Sequence, residues 1–486
     1  MRNGHTRRHG GIRLAVVLLC SLALPAQAQQ PHAPSVEELQ RRLEALERRL
    51  GASAEDSASV ADGGAGLSDL DQRLRVLERR FELQQEEAAA KAKENALVAI
   101  NDRGASFKSA DGSHEIRLRG LLQGDGRFFV NDERSPQNDT FLLRTARPII
   151  EGSLGALIGF RFTPEFAGDS ASIVDAYADV KFDPAFALRV GKFTSPVGLE
   201  RLQSSAALAA IERSLASELA PNRDIGVQWQ GEAADGRLSY AVGVFNGAVD
   251  GRDAVTSNPD NEFEYAGRVF FEPFRNDANA WSGLGFGIGA SVGDTRGIGN
   301  NYVPRYRTPG QAQFFNYRST IAADGERFRF SPQFFYYLGR VGAVGEYISS
   351  RQEVVQTSGA STGVRADLEN TAWQATLQWV LTGEDASYRG VPKPSHPFKP
   401  GEGGWGAFEL VGRFGALEID GDAFPVFADA SVSARRARNW TLGLNWYLNS
   451  NLKLVLNYLD TSFRGGAAAA DREDEKAIFS RLQVAF

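Results

Sequence analysis

The chain has 486 residues, of which 60 are acidic and 54 are lysine or arginine, so its formal net charge is −6. This acidic balance argues against a nucleic-acid-binding protein. Glycine is abundant at 51 residues, aromatic residues make up 10%, and cysteine occurs once. Such a composition is typical of a large antiparallel β protein.

The first 28 residues predict a secretory signal peptide. Arginines precede an apolar core, Leu14 to Leu24, and Ala26-Gln27-Ala28 forms a small-x-small cleavage site. The apolar core is too short to span a bilayer as a helix, and Cys20 lies within it. Cleavage after residue 28 leaves 50 basic and 60 acidic residues, a net charge of about −10, and no cysteine.

Residues 29–100 predict a helical, periplasmic coiled-coil segment. Apolar residues recur at the a and d positions of heptads in two runs: Val36, Leu39, Leu43, Leu46 and Leu50, then Leu67, Leu70, Leu74, Leu77 and Phe81. Residues 51–66 between the runs are rich in Ala, Ser, Gly and Asp and indicate a flexible break. Two heptads are too few to hold a dimer alone. Self-association driven by a trimeric barrel and a solvated helix without a partner therefore both remain open.

From residue 115 to residue 486 the apolar pattern changes to a period of two, which predicts about sixteen strands. Trp440, Leu442, Leu444 and Trp446, for example, alternate with polar residues such as Thr441 and Asn445. The strands are expected near 115–129, 141–154, 157–166, 172–182, 186–193, 224–231, 237–246, 263–272, 284–293, 326–337, 340–349, 371–382, 404–418, 436–449, 451–463 and 475–486.

Three features favour a transmembrane β-barrel of a bacterial outer membrane over a soluble sandwich. Many of the strands approach the ten residues that a tilted membrane span needs. Tight turns alternate with long connections, which are expected at 194–223, 246–262, 294–325, 350–370 and 419–435. The last strand ends on Phe486, an aromatic residue that resembles an outer-membrane assembly signal. The connection 383–403 does not fit this alternation of tight and long connections, because it is long and proline-rich but lies on the side of the tight turns. A barrel of sixteen strands should leave an aqueous lumen.

The candidate chemistry excludes several classes of protein. The predicted mature chain keeps only His32, His114 and His396, with no cysteine beside them, so a His/Cys metal site is not expected. His114 lies at a strand edge and His396 in a proline-rich turn, so no serine–histidine pair is expected either. The sequence therefore predicts no enzyme, no metal and no cofactor.

Basic residues on the inward phase of the strands indicate a channel. They share that phase with acids such as Asp125, Glu165 and Glu409, so wall charge alone predicts a mild anion preference. The inward arginines are Arg117, Arg119, Arg127, Arg161, Arg189, Arg268, Arg329 and Arg413. Residues 194–223 are expected to fold into the barrel and narrow it. A short helix is expected over Ala206 to Ala220, because Leu208, Ile211, Leu215 and Leu219 would be wasted on an exposed loop.

Several motifs, in order along the chain, resemble the phosphate-selective porins O and P. They are Gly191 to Arg201 (GKFTSPVGLER), Ile211-Glu212-Arg213, Leu381 to Glu384 (LTGE), Gly404 to Leu410 (GWGAFEL) and Leu444 to Tyr447 (LNWY). The resemblance extends from about Ile116 to Phe486. It implies a homotrimer of sixteen-stranded barrels in outer-membrane lipid and lipopolysaccharide. It also implies a ladder of arginines that draws small anions, phosphate or polyphosphate-like solutes, to a constriction.

The resemblance also assigns residues by position. The constriction is expected at Arg201, Arg213, Asp175, Thr194, Arg144 and Arg147, and the anion-guiding loop at Arg305 and Arg307. Thr194 replaces a constriction tyrosine, Leu121 replaces an arginine, and Arg144-Thr145 replaces an arginine pair. Two alternatives remain open: a general, weakly selective porin, and a structural outer-membrane anchor that uses the coiled coil.

Overall fold

The structure, a computed structural model, describes residues 41–42, 44–45, 72, 74–83, 85–86, 96–130, 137–297, 299–390, 393–468 and 470–486. It divides into two units, Met1–Ala92 and Lys93–Phe486. The predicted signal peptide and the predicted break at 51–66 lie outside the described residues, as does the first heptad run. In the first unit, the described residues are helical, and Arg79 donates to Glu82 at 2.9 Å. No helix among the described residues is long and apolar enough to cross a membrane.

The second unit begins with a small hairpin. Strand β1 (Leu97–Asn101) pairs with β2 (Gly104–Lys108), and β2 pairs with the first long strand. Because β1 starts at Leu97, the chain is already extended within the range 29–100 that the sequence assigns to the helical segment.

Sixteen strands form a closed antiparallel barrel, which confirms the predicted fold class and strand number. They are β3 (His114–Val130), β4 (Thr140–Leu154), β5 (Ile158–Glu165), β6 (Ser172–Asp183), β7 (Phe186–Thr194), β8 (Arg223–Ala233), β9 (Leu238–Phe245), β10 (Glu264–Phe271), β11 (Leu284–Arg296), β14 (Ile321–Leu338), β15 (Val341–Gln356), β16 (Arg365–Val380), β17 (Ala407–Glu418), β18 (Ala434–Tyr447), β19 (Leu452–Gly465) and β20 (Glu475–Ala485). A further hairpin, β12 (Arg305–Arg307) and β13 (Gln313–Asn316), lies between β11 and β14.

The barrel closes where β20 pairs with β3. The last residue takes part, since Phe486 N donates to Gly120 O at 3.0 Å and Gly120 N to Phe486 O at 2.8 Å. A Cβ on Gly120 would lie 2.5 Å from the Phe486 ring, so glycine lets this ring pack directly against the backbone of β3.

The alternation of side chains agrees with the predicted register. In the hairpin β8–β9, Trp229 faces Val242 across the strands, and their exposed fractions are 40% and 52%. The neighbours Gln228 and Gly243 are buried. The outward assignment of the apolar residues in this hairpin is therefore confirmed, and polar residues of alternate phase point into the barrel.

The two ends of the barrel differ. Most connections at one end, the turn end, are tight, whereas most at the other, the loop end, are longer. The predicted long connection 350–370 is wrong: β15 continues to Gln356 and β16 starts at Arg365, leaving only residues 357–364. The sequence does not reveal the end of β15 and the start of β16, because polar residues occur on both faces of these segments and interrupt the period-two apolar pattern. The connection 381–406 at the turn end is long, as the sequence suggested, and its described residues form no strand.

Loops fill much of the lumen at the loop end. A cluster of buried apolar side chains, the outer plug, joins three connections to the inner wall of β15–β19. Its members include Leu215 and Leu219 from the β7–β8 connection, Tyr306 and Phe315 from β12–β13, and Phe427 from the β17–β18 connection. The main hydrophobic core therefore lies inside the barrel.

Candidate permeation pathway

The connection between β7 and β8, residues 195–222 and here called the inserted loop, folds into the lumen as predicted. Of the short helix expected within 206–220, the structure forms only a 3₁₀ helix (Leu215–Leu219), and the one α-helix of the loop, α1 (Leu199–Leu202), precedes that range. Between these two helices, the backbone of the loop forms hydrogen bonds with side chains of the barrel wall. A continuous α-helix would need the same backbone groups for its own hydrogen bonds.

Those wall contacts reach strands on the far side of the barrel. Lys453 Nζ donates to Leu208 O at 2.9 Å and Asn445 Nδ2 to Ala209 O at 2.9 Å. Ile211 N donates to Asn457 Oδ1 at 2.7 Å. The inserted loop therefore crosses the lumen, from β7 to β18 and β19, before it returns to β8.

Glu212 fixes the tip of the inserted loop to the wall. Its carboxylate accepts from Arg127 Nη2 at 2.5 Å and from Arg144 Nε at 2.7 Å, and Arg481 Nη2 lies 3.6 Å away. Burial opposes ionisation of Glu212, but the guanidiniums of Arg144, Arg127 and Arg481 outweigh it and hold its pKa well below the usual range. The carboxylate is thus a permanent anion within a cluster of arginines, the Glu212 clamp.

Glu200 and Arg213 organise the inserted loop from within. The Glu200 carboxylate accepts from Ser214 N at 2.8 Å and from Ser217 Oγ at 2.7 Å. Arg213 donates to the carbonyls of Glu200 at 3.2 Å and Gln203 at 2.6 Å. Both side chains therefore hold the loop in its folded form.

The connection 381–406, here called the extended turn, supports the inserted loop from the turn end. Tyr388 OH donates to Leu199 O at 2.6 Å, and Gln203 Nε2 donates to Tyr388 O at 2.7 Å. The Tyr388 ring stacks on Phe335 with centroids 5.2 Å apart. A Cβ on Gly390 would lie 3.1 Å from Ala207, which shows how closely the two connections approach.

A cavity of about 810 Å³ remains between the inserted loop and the wall of β3–β8. It extends from Phe486 and the β18–β19 turn to Thr194 and Arg223 near the loop end. Among the described residues, ten basic and two acidic side chains line it. The basic ones are Arg103, Arg119, Arg147, Arg161, Arg189, Arg201, Arg223, Arg389, Lys393 and Lys453, and the acids are Asp102 and Asp175. The space is therefore strongly cationic although the whole chain is acidic.

Four of the residues expected at the constriction meet in this cavity. Arg147, Asp175, Thr194 and Arg201 all line it. Arg201 is buried, donating to Ser217 O and, at 3.4 Å, to Asn222 Oδ1.

The other four expected residues lie elsewhere. Arg144 binds Glu212, and Arg213 binds carbonyls of the inserted loop. Arg305 and Arg307 are exposed on β12, on either side of the buried Tyr306. Arg307 N donates to Glu218 Oε2 at 2.9 Å, which places this hairpin against the inserted loop rather than in the cavity lining.

Sequence reasoning missed some cationic residues of the cavity. Arg223 directly follows the inserted loop, and its Nε lies 3.4 Å from Asp175 Oδ1. Arg161, which the sequence places only on the inward wall, lies 3.6 Å from the same carboxylate. The position of Arg223 at the junction of the inserted loop and β8 could have indicated that its side chain lines the passage. Arg389 and Lys393 carried none, because nothing in their sequence shows that the extended turn enters the barrel.

No group of three or more His, Cys, Asp or Glu side chains that could hold a metal ion occurs in the described part of the chain. Two acids at the wall of the pathway are instead engaged by arginine. Asp175 lies between Arg161 and Arg223, and Asp179 accepts two hydrogen bonds from Arg189 at 2.7 and 2.9 Å.

Comparison with known proteins agrees with this geometry. The family model for phosphate-selective porin O and P matches residues 116–486. Porin O of Pseudomonas aeruginosa is 25% identical over 423 residues, which cover 82% of this chain and 92% of that protein. An uncharacterised protein of Caulobacter vibrioides is 24% identical over 325 residues, covering 65% of this chain and 61% of that protein. The crystal structure of the outer-membrane channel DcaP of Acinetobacter baumannii has a TM-score of 0.50 and 12% identity, covering 78% of this chain and 99% of that chain.

Proposed function

This chain belongs to the phosphate-selective porin O and P family, and from that premise we propose that small anions diffuse passively through it, with phosphate or polyphosphate-like solutes favoured. The family and the closed barrel make it an outer-membrane porin and not an enzyme. The anion preference is the proposed part.

The charge of the cavity carries the proposal. Ten basic side chains face two acids along the space left by the inserted loop. Fixed charge at a narrow, partly dehydrated passage sets which ions enter, whatever the net charge of the protein. Arginine suits phosphate in particular, because its planar guanidinium donates two parallel hydrogen bonds and stays charged.

A specific observation favours a general porin as the second candidate. Several cavity arginines already have a carboxylate partner: Arg147 donates to Glu165 at 2.6 Å and Arg189 to Asp179 at 2.7 Å. Arranged in this way, arginines and acids set up a transverse field with little net selectivity. The two candidates predict different reversal potentials in a salt gradient.

We also propose that the protein is a homotrimer surrounded by outer-membrane lipid and lipopolysaccharide. The family resemblance supports the trimer, and the outward apolar side chains, such as Trp229 and Val242, support contact with lipid. The structural-anchor alternative depends on the predicted periplasmic coiled coil, most of which lies outside the described residues.

Planar-bilayer recording tests the anion preference. We expect a reversal potential of anion-selective sign in a potassium chloride gradient, and a fall in chloride current when phosphate is added. In Arg201→Glu the preference should fall or invert, and Arg201→Gln, which keeps a donor for Ser217 O, should give an intermediate value. Arg237→Glu, in the exposed β8–β9 turn, is the control. An unchanged reversal potential in Arg201→Glu would leave only the general porin.

A further inference from the structure

Three arginines lie beside an aromatic pair on the outward face of β18 and β19, near the loop end. Arg436, Arg438 and Trp440 alternate with the buried Ala437 and Asn439 on β18. On β19, Tyr458 and Arg464 share the outward phase. The rings of Trp440 and Tyr458 lie 5.2 Å apart.

The strand register brings the arginines together. Arg436 is directly opposite Arg464, and Arg438 is directly opposite Ser462. Side chains that face each other across antiparallel strands have Cβ atoms about 5 Å apart, and like charges in that arrangement destabilise the sheet. An anion held between them would remove that repulsion.

Only one of the three arginines has an acidic partner. Arg436 Nη2 lies 2.6 Å from Glu418 Oε1. Arg438 and Arg464 are exposed, and neither forms an ion pair within the part of the chain that the structure describes. On the same face, Asp460 is directly opposite Lys476 on β20, and Asp471 in the next loop accepts from Gly465 N at 2.7 Å.

The arginines at the same rim have acidic partners on β14–β16, which are separated from β18 by β17. Arg351 lies 2.7 Å from Glu326 and 3.4 Å from Asp367, and Arg365 pairs with Asp324. An uncompensated cationic patch is therefore a local property of β18–β19.

The aromatic side chains locate this patch relative to the membrane. Phe414 is directly opposite Trp440 and packs against Trp373 at 5.5 Å, so an aromatic band runs across β16–β19. Such bands lie at the membrane–water interface, and the loop end of a porin faces outward. The patch lies just beyond the band, at the level of lipid headgroups.

We propose that Arg436, Arg438 and Arg464 bind the phosphate of a phosphorylated lipid in the loop-side leaflet. The guanidiniums supply paired donors to the phosphate oxygens, while Trp440 and Tyr458 contact the apolar part of the same lipid. This site faces the membrane and is separate from the cavity inside the barrel.

Binding of bisphosphorylated lipid A to the purified, full-length protein in detergent tests the site. Native mass spectrometry or ligand-dependent thermal stability gives the affinity. Each arginine near an anionic headgroup contributes roughly fivefold, so Arg438→Ala/Arg464→Ala should bind about 30-fold more weakly. The matched control is Arg351→Ala/Arg365→Ala, which removes two exposed arginines from the neutralised rim and should bind as the wild type.

Two further arms identify the ligand. Lipid A without its phosphates should bind equally weakly to the wild type and the double variant. Because phosphate is also the solute proposed for the cavity, inorganic phosphate at the same concentration should change the stability of the wild type and the double variant equally. Wild-type affinity in the Arg438→Ala/Arg464→Ala protein, equal loss in the control pair, or stabilisation by inorganic phosphate that is lost in the double variant would overturn the proposal. Reversal potentials should be unchanged in all these variants, so the result does not depend on the proposed anion preference.

Discussion

Among single residues, Asp175 is an acid that offsets part of the positive charge of the cavity. It is one of only two acids among the described lining residues, and it lies within 3.6 Å of both Arg161 and Arg223. The sequence predicts Arg161 on the inward wall and Asp175 in the constriction. It does not predict that the two side chains lie close together, because this depends on the pairing of β5 with β6.

Replacing Asp175 with Asn should make the channel more anion-selective. The change leaves the two arginines without their shared counterion, and one unit charge at about 4 Å in a water-filled space contributes about 1 kcal/mol, roughly a fivefold change in permeability ratio. Reversal potentials in a salt gradient measure this ratio. Asp277→Asn, in an exposed ion pair with Arg237 at the turn end, should leave it unchanged. A shift toward cations in Asp175→Asn would contradict the assigned role.

Among the structural elements, the inserted loop shows what sequence could and could not predict. Its position inside the barrel follows from apolar residues such as Leu215 and Leu219, which need a buried surface. Its internal structure does not follow, because Lys453, Asn445 and Asn457 bind the backbone of residues 208–211 from strands more than 230 positions away. The sixteen strands were predictable because period-two alternation is a local signal.

The Glu212 clamp should keep the inserted loop across the lumen. In Glu212→Gln, the half-exposed Arg144 loses its carboxylate partner, whereas the buried Arg127 and Arg481 keep Asp125. Breaking a buried ion pair costs at most about 3–5 kcal/mol. We expect a lower free energy of unfolding and a larger, noisier single-channel conductance. Glu326→Gln, which breaks an exposed pair with Arg351, is the control. A wild-type conductance in Glu212→Gln would show that the loop is held without this carboxylate.

The same clamp predicts a specific pH dependence. The pKa of Glu212 is lower in the folded than in the unfolded protein. Its contribution to stability is therefore complete above the unfolded pKa of about 4.3 and is lost only as the pH falls through the lower folded value. Conductance and current noise should stay constant from neutral pH down to about pH 4.3. Opening of the loop above that pH would show that another group titrates first.

The extended turn should act as a support for the inserted loop rather than as a simple connection. Tyr388→Ala removes both the stacking on Phe335 and the hydrogen bond to Leu199 O, so current noise should rise. Tyr388→Phe keeps the stacking and loses a hydrogen bond of about 1 kcal/mol, so its effect should be smaller. Tyr336 provides the control, because its hydroxyl also donates to a backbone carbonyl, that of Ala280, but near the barrel's outer face. Equal noise in Tyr388→Ala and Tyr336→Ala would remove the supporting role.

For the whole molecule, the last prediction separates the barrel from the segment that precedes it. Lys93–Phe486 forms a compact unit of its own, and its sheet closes through β20 and β3. The described residues before Lys93 contribute no strand to it. A protein that lacks residues 29–92 should therefore insert into bilayers with wild-type conductance and reversal potential. If the predicted heptads associate, as a trimeric barrel would promote by concentrating them, the trimers of the truncated protein should dissociate at a lower temperature in semi-native electrophoresis. Unchanged dissociation would favour a solvated helix without a partner, and loss of conductance would show that the segment contributes to the channel itself.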